Sequence, residues 1–178
     1  MELKVGYPLG TLGLLAFAGV LLLSATQPMS AGEPGGERGK LIGTWFTNVT
    51  VRDCVSNQEM GSFPSLGTFA SGGTLSDTTT GFSPALRSPG HGTWEQTGRN
   101  KYTAISLAFL FSPAGVWTGT QRITQDIEIK HNRFTSTAAI RFFDGAGNLT
   151  RKGCATAVAS RVEPVEGDDD PLLPSQDQ

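Results

Sequence analysis

The stretch WTGTQRITQDIEIK, from Trp117 to Lys130, decides how this chain is read. Trp117, Gly119, Gln121, Ile123, Gln125, Ile127 and Ile129 fall on one face, and the intervening Thr, Arg, Asp, Glu and Lys residues fall on the other. A period of two with one apolar side is the signature of a half-buried antiparallel strand, because successive side chains leave a strand on opposite faces. On either side of it, similar runs rich in Thr, Val, Ile and aromatics occupy Ile42 to Asp53, Pro64 to Ala70, Thr74 to Thr80, Gly92 to Thr97, Lys101 to Phe111, Phe134 to Phe143 and Leu149 to Val162. With the first run they make eight strands. No segment reads as an amphipathic helix, and the prolines and glycines between Ser83 and Gly92 exclude one there.

The connections sort by length. Cys54 to Phe63, Gly81 to His91 and Ser112 to Val116 are the longer ones, whereas Ala70 to Gly73, Thr97 to Asn100, His131 to Arg133 and Gly145 to Asn148 are tight. In an up-and-down meander alternate connections lie at opposite ends, so the three longer ones share one end and the other end is pinched shut. Eight such strands predict an all-β, antiparallel up-and-down barrel whose interior admits packed side chains or one small ligand.

The ends of the chain read differently. Lys4 precedes an apolar run from Leu9 to Leu23, and small residues follow it, the layout of a secretory signal peptide over residues 1–32. The run is shorter than the ~20 residues that span a bilayer, with an uncleaved anchor as the alternative. Residues 33–40 form a Gly-rich charged linker, 41–163 the barrel domain, and 164–178 an acidic, Pro-containing tail with little to bury. This organisation implies a secreted or periplasmic protein. The whole chain has 178 residues and a formal charge of −2, too weak a field to attract nucleic acid or an anionic membrane. Any membrane contact is expected only through an uncleaved N-terminal segment.

Gly43-Thr44-Trp45 at the head of the first strand and Arg161 at the foot of the last resemble the end plug of the calycin superfamily, the lipocalins and their lipocalin-like and avidin-like bacterial relatives. The resemblance covers the barrel core and carries over three residues, Gly43, Trp45 and Arg161. It implies a Trp and an Arg closing the tight-turn end and a container for a small molecule. The further motifs and terminal helix of typical lipocalins are not recognisable, which points to a lipocalin-like family.

Cys54 and Cys154 are the two cysteines of the chain. In an exported protein they are expected to be bonded, two separate buried thiols being the alternative. A bond makes the first and last strands antiparallel neighbours with paired positions summing to 208, which sets Thr47 opposite Arg161 and Trp45 one diagonal step away. The same register turns Trp45, Thr47, Val49 and Val51 inward together with Ala155, Ala157, Ala159 and Arg161.

Small inward residues leave volume for a ligand. The candidate ligand-binding residues are Trp94, Phe109, Trp117, Gln121, Gln125 and Ser136, since pockets are mostly apolar with a few placed polar groups. A strand-facing Gln satisfied by a backbone carbonyl or a buried water is the competing reading of the polar members. His91 with Asp77 and Asp53 is the nearest approach to an acid/base cluster, and neither His91 nor His131 has a partner at metal-ligand or triad spacing. No catalytic set, metal site or cofactor is expected. Three functions follow in order: a barrel holding a small hydrophobic molecule, a filled barrel meeting a protein partner through its loops or exterior, and an isomerase or cyclase on a related barrel. A continuous void of ~300 Å3 or more marks a carrier, and a solid core refutes one.

Overall fold

The computed structural model describes residues 40–164, so the expected signal segment, linker and acidic tail lie outside the described residues apart from Lys40 and Pro164. Eight strands follow in order: β1 (Gly43–Arg52), β2 (Glu59–Phe69), β3 (Thr74–Thr79), β4 (Gly90–Gly98), β5 (Lys101–Phe111), β6 (Trp117–Lys130), β7 (Arg133–Asp144) and β8 (Leu149–Arg161). Each pairs antiparallel with the next, and β1 pairs with β8, giving a closed barrel. Closure gives every strand a neighbour on both sides, so β1 and β8 are not the free edge strands they would be in an open sheet.

Cys54 and Cys154 are bonded, with Cα atoms 5.2 Å apart. The β1–β8 register differs from the expected one by two residues. Trp45, not Thr47, stands opposite Arg161, and Arg52 stands opposite Cys154. The reason is local: the chain turns at Asp53, whose N–H donates to the Gln58 carbonyl, so Cys54 lies beyond the ladder and its bond runs diagonally. A slip of two leaves every side chain on its original face. Trp45 and Thr47 are therefore buried, while Phe46 and Asn48 are exposed, as the alternation requires.

The tight-turn end is solid. Leu41, Trp45, Phe69, Trp94, Tyr102 and Phe134 pack there with the aliphatic residues Leu75, Ile127 and Ile129. Trp45 and Phe134 approach to 4.9 Å between ring centroids, and the Trp45 Nε1–H donates to the Leu41 carbonyl at 2.9 Å, so the indole is buried without an orphaned donor. Burial of one such aromatic removes ~150–250 Å2 from water, about 4–6 kcal/mol gross.

The opposite end is less complete. β3 has six residues, and only Thr74–Asp77 pair with β4. Above it β2 runs on from Pro64 to Glu59 against β1 alone, an edge where a proline interrupts no ladder. The connection 80–89 fills the space by pairing with β5: Ser88 N–H donates to the Phe109 carbonyl, and Phe111 N–H to the Leu86 carbonyl. This segment sets up the site.

Candidate functional site

Between the aromatic floor and the open end lies a cavity of about 90 Å3. Its walls are apolar over most of their area: Val49, Phe69, Ile123 and Phe134 meet the small residues Ala138 and Ala157. Phe63 and Phe82 lie toward the mouth. The Phe63 ring sits over Gly81, where any side chain would collide with it, and Phe82 packs on Phe142 at 6.4 Å.

One polar cluster interrupts this surface. Arg87, from the β3–β4 connection, is buried, and its Nη2 meets Asp77 Oδ1 at 2.6 Å. Its Nε donates to Gln121 Oε1 at 2.6 Å and its Nη1 to the Ser88 carbonyl at 3.1 Å. The sheet makes room for it. Asp77 is paired with Gly90 on β4, while Ala108 on β5 is paired with Gln121 on β6. Two minimal side chains thus leave a hollow between the carboxylate and the amide that a planar guanidinium spans. A Cβ at Gly90 would overlap the Asp77 carboxylate. Asp77 Oδ2 and the hydroxyl of Ser106 are buried without hydrogen-bond partners.

The sequence candidates divide. Gln121, Gln125 and Ser136 line the cavity. Gln121 Oε1 accepts from the Arg87 guanidinium, a side-chain partner supplied by the β3–β4 connection. The other three lie elsewhere. Trp94 belongs to the floor, where its Nε1–H is shared between the Ala70 and Thr74 carbonyls. Phe109 is exposed because the inward positions of β5 are Tyr102, Ala104, Ser106 and Ala108. Trp117 is also exposed, for a different reason. The β5–β6 ladder slips so that Leu110 opposes Gly119 while Phe111 opposes Trp117, and Trp117 lies past the last β6–β7 pair, its ring against Gly145. A bulge re-aims the side chains around it.

His91 is paired with Ser76 and Leu107 and faces solvent, whereas Asp77 faces the interior and Asp53 holds its own turn, so the three do not assemble. Asp53 is held below the usual carboxylate range by the N–H and hydroxyl of Ser56, and then the N–H of Val55. Asp144 is lowered likewise by the side chain and N–H of Asn148. Both are turn features at the surface.

Gly43, Trp45 and Arg161, expected from the resemblance to close one end, lie together at the floor. The Arg161 guanidinium lies 4.3 Å from the Trp45 ring centroid and donates to the carbonyls of Ile42 and Lys40. Gly43 has φ +129°, and any side chain on it would meet the guanidinium, which explains the glycine of the Gly-x-Trp triplet.

No family model and no curated protein sequence matches this chain. Among solved structures it is similar to the S-type phycobiliprotein lyase CPES from Guillardia theta, at 7% identity and a TM-score of 0.37 over 72% of this chain and 92% of that one.

Proposed function

We propose that this protein is an exported, lipocalin-like barrel that binds one small, mostly apolar molecule bearing a polar group. The observation that carries the reading is the Arg87–Asp77 pair, buried with Gln121 on the wall of an otherwise apolar cavity. Apolar residues of similar volume would give at least equal stability there, so the fold alone does not call for an ion pair. A mainly apolar wall with a few fixed polar groups is the composition of a small-molecule site. The eight-stranded order and the Trp45–Arg161 plug support calycin kinship, and the Cys54–Cys154 bond supports export to an oxidising compartment. No chemical step is assigned, because Arg87, Asp77 and Gln121 are engaged with one another.

A filled barrel that meets a protein partner is the second reading. The volume of about 90 Å3 favours it, being below the ~300–1,000 Å3 of ordinary ligand sites. On the first reading the connection 80–89, with Phe82, moves aside for anything larger than a few heavy atoms.

Titration with benzene and with N-phenyl-1-naphthylamine, followed by NMR and fluorescence, separates the two. Saturable uptake of one molecule per barrel is expected, lost in Ala157→Phe on the cavity wall and kept in Ala139→Phe on the outer face of β7. Absence of uptake, or equal uptake by Ala157→Phe, rejects the carrier reading.

A further inference from the structure

The outer wall near the open end carries a row of like charges. Arg122 on β6 is paired with Arg141 on β7, which is paired with Lys152 on β8. All three are exposed, and none makes an ion pair among the described residues. Directly opposed like charges disfavour a sheet. The positions two along on each strand, Thr120, Thr124, Ala139, Phe143, Thr150 and Cys154, supply no carboxylate. Nearer the end, Asp144 is committed to the hydrogen bonds of its own turn, as is Asp53. Glu59 is the remaining acid there. The chain's charge of −2 hides this distribution. Residues 40–164 hold twelve Lys and Arg against eight Asp and Glu, a formal +4, so the negative excess lies in the remaining residues.

The same end is rimmed by large apolar side chains. Val55 and Met60 flank the β1–β2 connection at 97% and 70% exposure, Phe109, Val116 and Trp117 flank the β5–β6 connection at 56%, 63% and 49%, and Leu149 opens β8 at 45%. They stand on three separate connections around one mouth. A protein partner would need a concave surface matched to all three, whereas a bilayer accepts any convex apolar rim. Arg141 and Lys152 stand three residues from Asp144 and Leu149 at the rim, ~10 Å along a strand at ~3.3 Å per residue. Apolar groups that enter an interface by ~5–10 Å bring such cations to headgroup depth.

We propose that the open end of the barrel docks on an anionic lipid surface, with Trp117, Val116 and Leu149 entering the interface and Arg122, Arg141 and Lys152 pairing with headgroups. Trp is favoured at that depth, and basic residues there each raise affinity for an anionic leaflet about fivefold. The docking stands whether or not the cavity takes a ligand.

The full chain is tested on vesicles of phosphatidylcholine with and without phosphatidylglycerol, at 0.1 and 0.5 M salt. The apolar run Leu9 to Leu23 and its charged flanks are common to the parent and every variant, so the difference between parent and variant on the same vesicles reads the barrel. Phosphatidylglycerol is expected to strengthen binding about 100-fold, and high salt to remove the gain. In Arg141→Glu/Lys152→Glu the gain is expected to fall at least about 25-fold, while thermal stability stays level or rises because Arg122 then faces a carboxylate at position 141 and one of the two like-charge pairs is lost. Trp45 and Trp94 are buried, so brominated phosphatidylcholine mixed into the anionic vesicles is expected to quench Trp117 selectively, and Trp117→Phe to abolish that quenching. Equal binding to the two vesicles, an undiminished gain in the charge-reversed variant, or unquenched Trp117 overturns the proposal. Binding of heparin or polyglutamate with Trp117 unquenched overturns it in favour of a soluble polyanion or an acidic protein.

Discussion

Arg161 and Trp45 are direct cross-strand partners, and the guanidinium of one lies 4.3 Å from the ring centroid of the other. The contact joins the last strand to the first at the point where the barrel closes. It also satisfies the carbonyls of Ile42 and Lys40, which precede β1 and have no ladder of their own.

Arg161→Ala is expected to cost about 2–4 kcal/mol, the sum of a cation–ring contact and lost charged hydrogen bonds. Gly43→Val is expected to displace the same guanidinium. A double-mutant cycle in urea should therefore show strong non-additivity, and additive losses would mean that Gly43 does not serve the plug.

Arg87→Met leaves Asp77 facing an apolar cavity without its cation, and a loss of about 3 kcal/mol is expected. Replacing both, as Arg87→Met/Asp77→Leu, should recover most of that loss while weakening uptake of polar-tailed probes. The urea midpoint decides the first point: a single-variant loss below about 0.5 kcal/mol would place the pair with surface ion pairs.

The turn carboxylates Asp53 and Asp144 have folded-state pKa values below their unfolded ones. Unfolding thus takes up protons as acid is added. Their contribution is complete above the ordinary Asp value of ~3.9 and fades as the pH falls through the lower folded values. Asp144→Asn is expected to flatten this acid limb. Urea midpoints measured from pH 2 to pH 5 check it, and an unchanged slope would remove the Asn148 hydrogen bonds from the account.

Much of the wall of the cavity was legible because a strand's faces are fixed by parity alone. Gln121, Gln125 and Ser136 could be assigned inward from their neighbours, and a two-residue error in the β1–β8 register did no harm to Thr47 or Val49. Trp117 and Phe109 could not be assigned so well. The first lies beyond a one-residue slip in its ladder, and the second is out of phase with the inward Tyr102 and Ala108, which its aromatic ring by itself does not reveal. Arg87 gave no local signal, since it sits in a Pro- and Gly-containing connection that reads only as a loop. The cationic row was equally hidden, because Arg122, Arg141 and Lys152 come together through pairing across three strands.

By itself, the sequence determined eight strands, their order, the end that is pinched shut and the strands that close the barrel. Each of these rests on local periodicity, turn chemistry or one covalent link. Only the tertiary structure decided what the interior holds. The hollow that seats Arg87 is a volume bounded by Asp77, Gly90, Ala108 and Gln121 on four strands, and shapes of that kind exist only after distant side chains have packed.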